Sequence, residues 1–155
     1  MTDGLRSEFA NADDSPGLML WRVRNAWQAA QRAALQPFGL THVQFVLLAS
    51  LTWLRSDGAV TQRDLADHAH TDPMMTSQVL RALETKGLIR RASHPTDGRA
   101  RALTVTPKGA ALANTANAAV EAADGRFFGQ LEDDLPRLTT MLRRLTAHRS
   151  TEYPV

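Results

Sequence analysis

The sequence predicts a mainly α-helical domain of six helices that carries one small β-hairpin. Three observations predict it. Helix-start signals recur along the chain: a Ser, Thr or Asp followed at once by Pro, or by an acid or amide three residues on. Between them, apolar residues return every third and fourth position, the spacing of one helix face. Late in the middle of the chain, two short alternating segments flank a tight polar stretch, which reads as a hairpin. Two strands bury no core of their own, so the hairpin is expected as an appendage to a helical body, a wing.

The elements follow in order. Ser15 and Pro16 read as an N-cap and a first helical Pro, opening a helix that should run to about residue 36, before Pro37. Its expected apolar stripe is Leu20, Val23, Trp27, Ala30 and Ala34. Thr41 and Gln44 form a capping box. The helix they open, 42–55, is apolar on nearly all sides and should lie at the centre of the domain. Asp57-Gly58 marks a turn, and Thr61 with Asp64 caps a short helix ending near His68. Asp72-Pro73 opens a helix to Lys86, with Gly87 where a C-cap glycine belongs. Segments 88–92 and 101–105 are the strands. Thr106-Pro107 opens a long alanine-rich helix to about Leu131, and a last helix starts near Asp133 or Asp134 and runs to about His148.

A chain of 155 residues fits one domain, 1–155. It contains no cysteine, which excludes disulfides, thiolate metal sites and a cysteine redox switch. The N-terminus lacks the apolar core of a signal peptide. The longest apolar stretch, 43–54, is shorter than the ~20 residues needed to span a bilayer. The expectation is a cytoplasmic protein with no membrane partner. Net charge is only +2, yet residues 72–108 hold seven Lys or Arg against three acids. A local positive patch on a near-neutral chain suits a polyanionic partner.

Residues 61–89 read as helix, tight turn, helix. Leu65 and Ala66 should face the second helix, whose buried stripe is Thr76, Val79, Leu80 and Leu83. Pro73, Met74, Ser77, Gln78 and Arg81 are then left on the outer face, with Met75 beside them. A helix with such a face fits the major groove of duplex DNA. Gln78 can make two bonds to adenine, Arg81 can bond guanine or clamp a phosphate, Ser77 can bond either, and Met74 or Met75 can touch a thymine methyl. At the hairpin tip, Arg99 and Arg101 suit a narrow minor groove, and Asp97 is expected to pair with a wing arginine and fix its direction.

These motifs together resemble the MarR family. The pattern is carried by Gly87-Leu88-Ile89-Arg90-Arg91, then Asp97-Gly98-Arg99, then Thr106-Pro107-Lys108-Gly109, with residues 40–48 similar to the family's preceding helix. The resemblance spans about residues 18–145. It implies a winged helix-turn-helix in which 41–106 form the DNA-binding lobe and 15–40 with 107–150 form the dimerisation helices. It also implies a homodimer on pseudo-palindromic double-stranded DNA, acting as a repressor released by a small aromatic or phenolic ligand. The family's pocket position points to Trp21, Arg24, His42 and Phe45 as an aromatic-walled site with a cation. Peroxide-sensing members use a cysteine near the first long helix, absent here, and zinc-sensing members use clustered His, Cys and acids with no equivalent here.

Dimerisation has its own sequence signal. Leu131, Leu135, Leu138, Leu142 and Leu145 alternate by four and three, an apolar seam of coiled-coil type. His68 and His70 lie two apart and face different ways on a helix, so no metal site is expected, and no cofactor. Met74 and Met75 are oxidisable thioethers, but filling space and touching DNA is the first expectation for them. No Ser-His-Asp, HExxH, P-loop or GxGxxG pattern marks an enzyme. The alternative is a dimeric ligand-binding protein or anti-repressor without DNA binding, which the basic wing and polar outer face oppose.

Overall fold

The computed structural model describes residues 4–54, 59–96, 98 and 101–147. Among them are six α-helices: α1 (Pro16–Leu35), α2 (His42–Leu54), α3 (Gln62–Ala69), α4 (Pro73–Thr85), α5 (Pro107–Phe128) and α6 (Leu135–Ala147). Three strands, β1 (Val60–Thr61), β2 (Ile89–Ser93) and β3 (Arg101–Val105), form one antiparallel sheet in the order β1-β3-β2. No single helix is long and apolar enough to cross a membrane.

The expected caps form. The Ser15 hydroxyl accepts from the Leu18 amide, Asp72 from Met75 and Thr106 from Gly109. Thr41 with Gln44, and Thr61 with Asp64, each exchange the two reciprocal bonds of a capping box. The Thr61 backbone amide, then its hydroxyl, hold the Asp64 carboxyl below the usual carboxylate range. α4 ends in a Schellman motif: the Leu88 amide donates to the Leu83 carbonyl and the Gly87 amide to that of Glu84. Gly87 sits at φ 72°, where a side chain would strain the backbone.

Leu47, Leu48 and Leu51 of α2 are completely buried, with Leu35, Leu65, Leu80 and Leu83 around them. α2 is therefore the central element, as its composition predicts. Trp53 departs from that pattern, being 81% exposed.

Three further details differ from expectation. The hairpin has a third strand, since Val60 and Thr61 pair with Leu103 and Ala102. Two residues are too few to carry a strand signal, and the pairing makes β3 central and ties the wing to the start of α3. α5 stops at Phe128 rather than near Leu131, in a 3-10 segment kinked at Glu132 (φ 48°). In α1, Gln31 and Leu35 are the buried positions, while Leu20 and Val23 are about half exposed. The predicted stripe exists, but among the described residues its first half is only partly covered.

Candidate nucleic-acid interface

The α3–α4 turn sets the candidate reading helix. His70 takes a left-handed conformation (φ 54°) at the end of α3, and the Thr71 amide donates back to the Ala66 carbonyl. The Thr76 hydroxyl donates to the Asp72 carbonyl at 2.8 Å and lies 2.7 Å from that of Thr71. With the Thr76 proton so engaged, Thr71 is the donor between them. Thr76 is thus buried with its polarity satisfied, and the start of α4 is locked to the turn.

Burial then sorts the faces of α4 as the periodicity predicts. Thr76, Leu80 and Leu83 are at 0% exposure. Pro73, Met74, Met75, Gln78 and Arg81 are exposed, and Ser77 is half-buried between the two faces. Arg81 donates to the Ser77 hydroxyl at 3.2 Å, which draws its guanidinium along the exposed face toward the helix start.

The wing contributes less defined chemistry. Arg101 is exposed at the start of β3, opposite Ser93. Arg90 is exposed on β2, opposite Thr104. Asp97 and Arg99 lie outside the described residues. The basic surplus of 72–108 is partly spent inside the fold. Lys86 donates from Nζ to the Gly39 carbonyl at 2.6 Å and to Gln44 Oε1 at 3.1 Å. Arg91 pairs with Glu84 at 3.1 Å, and Lys108 donates to the Lys86 carbonyl. Among the described residues of the patch, Arg81, Arg90 and Arg101 are the exposed cations free of these ties, and Arg90 is the one that sequence reasoning counted but did not assign.

The start of α5 is held to the segment leading into β2 by a clasp. The Thr106 amide donates to the Leu88 carbonyl and its hydroxyl to that of Gly87, while the Gly109 amide donates to the Thr106 hydroxyl. A Cβ on Gly109 would stand 2.0 Å from the Leu88 carbonyl oxygen. The glycine is there because α5 meets the start of the wing backbone to backbone.

A second candidate region lies where α1, α2 and α5 meet. Trp27 Nε1 and Gln31 Nε2 both donate to Asp124 Oδ1, at 2.8 and 2.7 Å. The His42 ring meets Trp27 edge-on at 4.9 Å. Burial pulls the His42 pKa below its ordinary value; the Asp124 charge opposes this and Arg32 adds to it. Beside them is an open cleft of about 450 Å³, lined by Gln28 and Arg32 of α1, by Gln36 just past its end, and by Leu40, Thr41, His42 and Val43.

Of the four pocket residues expected from sequence, His42 alone lines this cleft. Phe45 is core, at 6% exposure, and Trp21 and Arg24 sit exposed on α1. Arg24 is about two turns and Trp21 about three turns from Arg32, and Arg32 is the α1 cation that lines the cleft with His42. The Trp27–Asp124 tie spans 97 residues of sequence, and no local pattern announces it.

At the other end of the fold, α6 buries no residue. Leu142 and Leu145 are 40% and 68% exposed, and Leu131 and Met141 are also open. Leu20, Trp21 and Val23 at the start of α1 are exposed as well, and apolar side chains left open on such elements mark candidate interaction surfaces.

Comparison with known proteins supplies the frame. A family model described as the MarR family matches residues 40–100. The uncharacterised HTH-type transcriptional regulator YdcH of Bacillus subtilis is 42% identical over 123 residues, 79% of this chain and 84% of its own length. The HTH-type transcriptional repressor Rv2887 of Mycobacterium tuberculosis is 40% identical over 77% of this chain and 85% of its own. Its crystal structure with salicylic acid aligns at a TM-score of 0.65, with 37% identity, over 87% of this chain and 99% of that one. CouR of Rhodococcus jostii RHA1, bound to p-coumaroyl-CoA, aligns at 0.79 with 27% identity, over 95% and 100%.

Proposed function

The chain belongs to the MarR family of transcriptional regulators, and from that premise we propose that it is a dimeric repressor whose operator is released by a small aromatic acid. One observation carries the DNA-reading half of this proposal. α4 has one face at 0% exposure and the opposite face occupied by Pro73, Met74, Met75, Gln78 and Arg81, so a helix rigidly held by the core offers hydrogen-bonding and apolar groups outward. Residues 41–106 form the reading lobe, and 15–40 with 107–150 pair two copies. Gln78 and Ser77 read base edges, Arg81 binds guanine or a phosphate, and Arg99 and Arg101 follow the minor groove, with Asp97 directing the wing arginines. The protein acts by binding rather than by catalysis, in the cytoplasm.

The ligand half rests on the cleft beside α1 and α2. Arg32 supplies a cation and His42 a ring whose pKa burial lowers. Val43 and Leu40 give apolar walls. An aromatic carboxylate matches that set, in keeping with the salicylic acid bound to the similar Rv2887; the p-coumaroyl-CoA bound to CouR shares the aromatic ring, its carboxyl being a thioester.

A fluorescence titration with duplex DNA from upstream of the gene tests the reading half. Gln78→Ala should relax preference at one base position by ~1–3 kcal/mol, and Arg101→Ala should weaken all sequences alike and flatten the salt dependence. Parent-like binding by both variants would refute the assignment. Salicylate should release the DNA from the parent, and Arg32→Ala should blunt that release; equal release from both would move the ligand elsewhere.

A further inference from the structure

We infer that Met74 and Met75 form an oxidation-sensitive modification site, through which hypochlorous acid or a peroxide weakens operator binding reversibly. The inference rests on the reading of α4 as the DNA-facing helix. The two methionines are consecutive in the first turn of α4 and are 73% and 44% exposed. Of the other methionines among the described residues, Met19 is half-buried, and Met141 is 51% exposed on α6, the helix by which the proposed dimer pairs. The chain has no cysteine to compete for oxidant. Among the described residues the most exposed methionine, Met74, therefore sits on the proposed reading face.

The chemistry is a two-electron oxygen transfer. A sulfur lone pair attacks the electrophilic oxygen of hypochlorous acid, the O–Cl bond breaks, and chloride and a proton leave as the sulfoxide forms. With hydrogen peroxide the O–O bond breaks and water leaves. The product is polar and carries a strong acceptor oxygen where an apolar thioether stood.

Helix geometry sets the consequence. Residues three and four apart are neighbours, and side chains lean toward the helix start. Ser77 and Gln78 follow Met74 at those spacings, and Gln78 follows Met75 at three. A sulfoxide oxygen there accepts from the Gln78 amide and diverts a donor meant for a base edge. It also removes apolar contact to a thymine methyl and adds negative partial charge facing phosphate.

The test treats the full chain with hypochlorous acid at low molar ratio, maps added oxygen by peptide mass spectrometry, and measures operator affinity. Met74 and Met75 should each gain one oxygen, affinity should fall about tenfold with helicity unchanged, and methionine sulfoxide reductase should restore it. The Met74→Leu/Met75→Leu variant, compared with its own untreated form, should lose no affinity on treatment. The proposal is overturned if other residues react first, if the doubly oxidised protein binds as before, or if the variant loses as much as the parent. Failure of untreated protein to bind any DNA would instead overturn the reading of α4, and this inference with it.

Discussion

Replacing Leu142 and Leu145 with Asp should convert the protein to a monomer and lower operator affinity by about 10²–10⁴-fold. The magnitude is the one gained when a second binding event becomes intramolecular. Two reading helices on half-sites roughly one turn, ~34 Å, apart act together only while the copies are joined. The residues are suited to the test because each is already 40% or more exposed in the single chain. Charging them disturbs no core contact within it, whereas in a dimer each carboxylate is forced into an apolar seam. Analytical ultracentrifugation gives the mass, circular dichroism the helicity, and the operator titration the affinity. A variant that stays dimeric at parent affinity would show that α6 is not the pairing element.

Gly109→Ala should cost about 3 kcal/mol of stability or more, the upper end of overpacking penalties. The added methyl would meet the Leu88 carbonyl oxygen at 2.0 Å and its carbon at 2.9 Å. Neither can step aside as a flexible side chain would. The Leu88 carbonyl also accepts from the Thr106 amide, so relief requires opening the clasp that joins α5 to the wing. A urea denaturation midpoint measures the loss. A midpoint equal to the parent's would mean that α5 and the wing are not in contact at this point. Ala110, one residue on and half-exposed, serves as control: Ala110→Ser should change stability little.

These two positions show what a sequence conveys and what it withholds. The apolar seam of α6 was visible as leucines at four and three, but the pattern does not say which surface covers it. Gly109 stood in a motif without a visible reason, because the reason is a carbonyl 21 residues earlier in the chain. Pocket residues fared similarly. The family resemblance pointed to His42, which does line the cleft beside α1 and α2. Arg32, on the same cleft, and Asp124, which ties Trp27 and Gln31, had no such signal, since their relation to His42 arises only when α1 and α5 meet α2. Lys86 and Arg91 counted toward a DNA-binding charge in the sequence, yet folding ties Lys86 to the Gly39 carbonyl and Arg91 to Glu84.

By itself the sequence determined the helix starts, the buried and outer faces of α4 and the presence of a wing. Capping bonds and helix periodicity act over three or four residues, so the interacting groups are neighbours in the chain. Only the tertiary structure decided the third strand at Val60–Thr61, the clasp of Gly109 on Leu88, the Asp124 tie and the uncovered seam. Each depends on which distant segments meet, and long-range packing chooses that after the local rules have been satisfied.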